Sequence, residues 1–220
     1  MGDRAAKDAL YDGFSIVAKA LANGRRAEIV DVLSQGERSV EDLATEIGQS
    51  VANTSQHLRH LARAGLLRTR RDGNRVYYAP ASPQVTDLWA ALRTVAADQV
   101  AEVERLAADY LGDRTGLETI SRDELARRLS TGEVVVLDVR PTAEYRAGHV
   151  LGARSTPIEQ VQTELDRLPT DHEVVAYCRG PYCVYADDAV RELHRRGFTA
   201  RRLEDGYPEW ANAGLPTATG

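Results

Sequence analysis

Cysteine is scarce: Cys178 and Cys183 are the two in 220 residues. Two thiols cannot staple a small secreted scaffold, so a reducing, cytoplasmic compartment is the default expectation. Long apolar runs are also missing. Nothing approaches the roughly 20 consecutive apolar residues of a spanning helix, so no membrane partner is expected. The start MGDRAAKDAL has no apolar core and no cleavage site, which argues against a secretory signal. Ala6 stands where a myristoylation signal needs Ser or Thr. Nor is there an excess of positive charge. Lys and Arg total 28 against 33 Asp and Glu, a net −5, which excludes a uniformly basic coat but allows a local basic patch. No internal repeat or low-complexity tract stands out.

What is present is ordinary for a globular chain, with 43% hydrophobic and 28% charged residues. The length suits one large or two small domains. The pattern changes near residue 113. Residues 1–113 read as successive helices, whereas 117–216 alternate apolar runs with helical patterns, the mark of an α/β unit. The junction LGDRTG (111–116) reads as a short linker, which divides the chain into 1–113 and 114–220. Net charges of −2 and −3 make neither part basic, yet residues 55–79 hold six Arg and one acid, +5 in all. That stripe is the one electrostatic hint of a polyanion.

In the first part, Leu10, Phe14, Val17 and Leu21 recur at helical spacing, predicting an amphipathic helix over 4–22. Ile29, Val30 and Leu33 place a second helix, ended near Gly36. Ser39 and Asp42 predict an N-terminal cap for a third. Ser50 caps a fourth, VANTSQHLRHLARAG, closed by Gly65. Thr54, Leu58 and Leu61 face inward on it. Asn53, Gln56, His57, Arg59, His60 and Arg63 lie opposite. A helix, a glycine turn and a second helix with a polar outer face have the geometry that enters a major groove. Two β-like runs then flank Asp72-Gly73-Asn74, a hairpin signal. With Arg70, Arg71 and Arg75 this basic hairpin is a wing suited to phosphates. Residues 84–111 carry a long apolar stripe through Leu88, Leu92, Val95 or Ala96, Val103, Leu106 and Tyr110, predicting one continuous last helix.

The run from Ser50 through Ser55, His57, Leu58, Leu61 and Ala64-Gly65-Leu66, followed by Arg71-x-Gly73 and Tyr77-Tyr78, resembles the ArsR/SmtB family of winged helix-turn-helix repressors. The resemblance covers about residues 4–110. It implies a homodimer joined through first and last helices and a near-palindromic double-stranded DNA operator. The expected contacts are Ser50, Asn53, Gln56, His57, Arg59, His60, Arg70, Arg71, Asn74 and Arg75. Metal sensing, frequent in that family, is not expected. VEDLATEIG has no Cys, 84–111 has no His, and too few ligands remain for zinc. No metal or cofactor is therefore assigned.

In the second part, VVVLDV (134–139) and EVVAYC (173–178) read as buried parallel strands and TARRLE (199–204) as a weaker third. Helical patterns cover 121–130 and 185–197. Parallel α/β folds place their sites beyond the C-terminal strand ends, where Cys178 falls. A short loop into a helix start directs amide dipoles to one point, favouring a thiolate or a persulfide anion. Three separated pieces resemble the rhodanese family: Leu137-Asp138-Val139-Arg140 with Glu144-Tyr145 and Gly148-His149-Val150; the loop Cys178-Arg179-Gly180-Pro181-Tyr182-Cys183; and Gly206-Tyr207 with Trp210, Gly214 and Pro216. The resemblance implies sulfane-sulfur transfer through a Cys178 persulfide. Asp205 departs from it, standing where the family usually has a second Gly. Arg179 and the backbone of Gly180, Pro181 and Tyr182 would hold the anion. Cys183 is either a small residue at a helix start or a resolving thiol.

The expected fold is therefore a mainly α winged helix-turn-helix followed by an α/β rhodanese-like domain with a central parallel sheet. The expected function is transcriptional regulation, repression above all, with Cys178 sensing reactive sulfur or redox state through a sulfane-sulfur donor or small anion. Two alternatives stand beside it. One is a sulfurtransferase whose first domain mainly dimerises. The other is a catalytically idle second domain that binds a ligand or partner.

Overall fold

The computed structural model describes residues 3–169 and 172–220, which pack as two compact units dividing between Leu92 and Arg93. The first unit begins with α1 (Arg4–Leu21) and α2 (Gly24–Leu33), followed by β1 (Arg38–Ser39), α3 (Val40–Glu46) and α4 (Val51–Arg63). The hairpin β2 (Leu67–Asp72) and β3 (Arg75–Pro80) comes next, and then α5 (Pro83–Gln99), within which the division falls. The caps follow the expected chemistry. Ser39 Oγ accepts from Asp42 N, and the Asp42 carboxylate accepts from Ser39 N, a reciprocal box. The core gathers Leu21, Ile29, Leu33, Leu43, Leu58 and Leu61, all buried. Thr54, Leu58 and Leu61 put one face of α4 into that core, which leaves its polar face outward.

The wing is antiparallel, with Asp72 opposite Arg75 and Gly73 at φ +58°, a left-handed turn position that suits glycine. Its third strand, β1, pairs with β3 through Arg38 and Tyr78. Two residues are too short for a periodic signal, so the sequence does not announce it.

The continuous last helix expected over 84–111 does not form. Val100 leaves helical geometry (φ −113°, ψ 94°), and α6 (Ala101–Leu111) starts after it. A β-branched residue loses side-chain freedom in a helix, and Glu102 and Glu104 complement a new N-terminus. Leu10, Tyr11 and Phe14 on α1 are exposed, as are Leu88, Leu92, Val95, Leu106 and Tyr110 on α5 and α6.

The second unit is an α/β layer structure: β4 (Thr119–Ile120), α7 (Arg122–Ser130), β5 (Val134–Asp138), α8 (Thr142–Ala147), β6 (His149–Val150), β7 (Arg154–Ser155) and α9 (Val161–Glu164). It continues with β8 (Glu173–Cys178), α10 (Val184–Arg195), β9 (Ala200–Gly206), α11 (Tyr207–Asn212) and β10 (Thr217–Ala218). Five strands form a parallel sheet in the order β4-β9-β8-β5-β7. The three central strands are the three expected from sequence. Helices cover both faces, so β5 and β8 are almost wholly apolar and buried. Trp210 is 1% exposed and belongs to the core on one face, its indole donating to Pro216 O at 2.9 Å.

Candidate functional site

The residues expected to act fall in two places, one in each unit. On α4, Ser50 is the N-cap, accepting from Asn53 N at 3.2 Å. Asn53, Gln56, Arg59 and His60 are exposed along the outer face. Gln56, Arg59, His60 and Arg63 line a depression of about 330 Å³. His57 is half-buried. Desolvation, with Arg26, His60 and Arg25 nearby, lowers its pKa and favours the neutral ring. On the wing, Arg71, Asn74 and Arg75 are exposed. Arg70 differs from its neighbours. Its guanidinium pairs with Glu37 at 2.5 Å and Asp72 at 3.2 Å and lies over the Tyr77 ring. That hydrogen bond holds the Glu37 carboxyl below its ordinary range. Glu37 lies far away in sequence, and nothing in the local pattern marks the pairing.

In the second unit, Cys178 ends β8 and is 1% exposed, packed among apolar residues. Five residues on, Cys183 precedes α10 and is partly exposed. The two are joined as a disulfide with Cα atoms 6.3 Å apart. The intervening residues make a tight turn in which Cys183 N donates to Gly180 O at 3.2 Å.

Several groups fix this loop. Arg179 reaches Glu144, a fully buried carboxylate, at 2.6 Å. The side chain expected to assist an incoming anion therefore already holds one. Arg114 donates to Pro181 O at 3.1 Å and pairs with buried Asp187 at 2.6 Å. Gly206 is the cross-strand partner of Cys178, and a Cβ there would run into the Arg179 carbonyl and the Gly180 amide. Arg93 lies against Gly180 and pairs with Glu209. Sequence reasoning passed over Arg93 and Arg114, which lie outside the motif pieces, and Glu209, an unassigned position between Tyr207 and Trp210. Arg114 reads simply as part of a linker.

Beside the loop lies a buried polar frame. Asp138 accepts from Arg140 Nε at 2.9 Å and from the Tyr177 hydroxyl at 2.5 Å. Arg140 also donates to Gly148 O at 2.7 Å, and its guanidinium stacks over the Tyr207 ring. Burial and the Asp138 charge push the Tyr177 hydroxyl well above its ordinary pKa, so it stays a donor. Burial opposes the Arg140 charge, but the hydrogen bond to Asp138 together with the charges of Asp138 and Glu144 and the Tyr177 hydroxyl outweighs it and raises its pKa. His149 stacks on Tyr145 with ring centroids 3.7 Å apart and bonds the Tyr145 carbonyl oxygen. These residues form a frame. Among the described residues no group of three or more His, Cys, Asp or Glu could hold a metal.

Comparison with known proteins agrees with this geometry. The family "Bacterial regulatory protein, arsR family" matches residues 23–69, and "Rhodanese-like domain" matches 121–213. A Mycobacterium tuberculosis protein, HTH-type transcriptional regulator Rv0324, is 47% identical over 97% of this chain and 94% of its own length. The chain belongs to the ArsR family. Within that family this regulator carries a rhodanese-like domain after its winged helix-turn-helix. The second domain alone is similar to a sulfurtransferase of Allochromatium vinosum, at 31% identity over 44% of this chain and 91% of that one. A solved Mycobacterium bovis structure, described as a homodimeric winged helix-turn-helix DNA-binding domain, is 43% identical with a TM-score of 0.43, covering 46% of this chain and 93% of that one. No helix among the described residues is long and apolar enough to cross a membrane.

Proposed function

We propose that this ArsR-family regulator is a cytoplasmic, homodimeric repressor whose operator affinity is set by sulfur chemistry at Cys178 and Cys183. Residues 1–113 serve DNA binding and dimerisation, and residues 114–220 serve sensing. The outer face of α4 reads base edges through Asn53, Gln56 and His60. Arg59, Arg71, Asn74 and Arg75 meet phosphates and sugars, and Ser50 holds the helix start. The exposed apolar side chains of α1, α5 and α6 pack against a second copy, which sets two α4 helices for a near-palindromic site.

In the reduced protein the Cys178 thiolate attacks the terminal sulfur of a persulfide donor, RS–SH. A new S–S bond forms to give Cys178–S–SH, and RS⁻ leaves. The Cys183 thiolate then attacks the Cys178 Sγ and expels HS⁻, which leaves the disulfide. The observation that carries this reading is the union of the two sulfurs across the loop, one of them at the strand end where the rhodanese resemblance puts the reactive thiol.

The test is a gel shift over a salt series on DNA from beside the protein's own gene. Reduced protein should bind with strong salt dependence, and polysulfide treatment should shift affinity roughly 5–150-fold. Cys178→Ser should bind and not respond. A responding variant refutes sensing at Cys178, and salt-insensitive or absent binding refutes the repressor. Likeness to a named sulfurtransferase favours a second reading, catalytic turnover. Steady-state transfer to a thiol acceptor, without operator binding, is its signature.

A further inference from the structure

Cys178 and Cys183 are joined as a disulfide, and the fold treats the two residues unequally. Cys178 is 1% exposed and shares an apolar cluster with Leu137, Ala176, Ala186 and Val190. Cys183 packs against the rim of that cluster and keeps part of its surface in solvent. One end of the bond is sealed and the other is open. The turn between them is held by the Cys183 N–H donating to Gly180 O and by Arg114 donating to Pro181 O.

On the reading of the pair as a reversible sensor, we infer that Cys183 is the S-thiolation site through which a small dissolved thiol reopens the disulfide. A thiolate RS⁻ approaches along the S–S axis, from behind the sulfur it attacks. Behind Cys178 lies the apolar cluster, so the approach is from the Cys183 side. The RS⁻ sulfur bonds to Cys183 Sγ, the S–S bond breaks, and Cys178 leaves as a thiolate that takes up a proton. A second RS⁻ attacks the R-side sulfur of the mixed disulfide, giving RS–SR and the Cys183 thiolate. Two thiols are thereby oxidised to one RS–SR while the protein disulfide is reduced to two thiols. One effect opposes this course. Cys183 precedes α10, and a helix start favours a thiolate there, which makes Cys183 the better leaving group and steers attack to Cys178. That preference is less than about tenfold per pKa unit. Reaching Cys178 requires the packed cluster to open, and core elements open only in rare fluctuations approaching global unfolding. Access therefore outweighs the leaving group. A partial opening also admits a small molecule more readily than a thiol carried on a folded protein.

The experiment takes the full-length oxidised protein, with 2-mercaptoethanol as the thiol. Early samples are quenched in acid and alkylated with N-ethylmaleimide in denaturant. Trypsin cuts after Arg179, which puts Cys178 and Cys183 on separate peptides. The mercaptoethanol adduct should sit on Cys183 and the maleimide on Cys178, with a bias of roughly tenfold or more. In urea, with both sulfurs open, the bias should vanish or reverse. Adducts on Cys178, an even split, or a bias unchanged in urea overturns the assignment. So does a disulfide that 2-mercaptoethanol leaves intact in the native protein and opens in urea. A gel shift on the same samples separates the two readings. An adduct on Cys183 with operator affinity unmoved by reduction sinks the sensor and leaves the thiolation site standing. An adduct on Cys178 with affinity changed does the opposite.

Discussion

On α4 and the wing, Arg59, Arg63, Arg68, Arg71 and Arg75 stand exposed with no carboxylate partner among the described residues. Around the second unit's sheet, Arg114, Arg140, Arg179 and Arg201 are each bound to a carboxylate, three of these acids fully buried. The same residue type therefore does two jobs. Exposed guanidinium groups keep their hydration and charge for a polyanion, and their mutual repulsion costs little across water. Enclosed ones have lost much of their hydration and have their charge matched by an acid, and serve to hold structure in place through planar, forked hydrogen bonds. Net charge, nearly equal in the two parts, does not report this difference.

The contrast can be broken most forcefully at Asp138. Asp138→Asn leaves Arg140 buried without its counter-charge, and stability should fall by about 3–5 kcal/mol in urea denaturation of the second unit's transition. A loss under 1 kcal/mol would mean that the frame tolerates an uncompensated charge and is not closed. Gly206→Ala comes next. Its methyl group meets the Arg179 carbonyl and Gly180 amide, so a loss of about 1–3 kcal/mol is expected, together with faster alkylation of Cys178 after reduction.

In the open region the same kind of change should act on binding alone. Arg71→Ala should lower operator affinity similarly on all sequences and reduce the salt slope by about 1, while stability stays within about 0.5 kcal/mol. Arg70→Ala should weaken binding less, because Glu37 and Asp72 compete with phosphate for that side chain. A larger effect at Arg70 than at Arg71 would reverse their ranking.

The smallest effect concerns His57. Its folded pKa lies below the unfolded value of about 6.5, so the neutral ring is the one folding favours. Its contribution should be flat above that pH, and stability should decline as pH falls from about 6.5 through the folded pKa. His57→Gln should flatten that decline in pH-dependent thermal unfolding.

Most of the architecture was readable beforehand because it rests on local chemistry. The Ser39 and Ser50 caps, the Asp72-Gly73 turn and the apolar runs at 134–139 and 173–178 each encode an element within a few residues. What escaped is long-range or too short for a period. The two-residue strands β1, β4, β6, β7 and β10 have no alternation to detect. The stripe along 84–111 stayed apolar across Val100, so periodicity could not reveal the break there. At the site, both sulfurs and their loop could be named from sequence. Arg179 was assigned to an incoming anion, and the structure gives it to Glu144, 35 residues earlier in the chain. Local pattern cannot assign such a partner.

From sequence, Asp113 and Arg114 read as part of a short linker. Instead the Asp113 carbonyl accepts from Arg191 at 2.7 Å, and Arg114 is bound to Asp187 and Pro181. The chain leaving α6 is riveted to the cysteine loop and to α10 with no slack. Mechanically this is a short crank rather than a string. Through these bonds a displacement of the loop should bear on the chain leaving α6, and trypsin should find Arg114 a poor cleavage site.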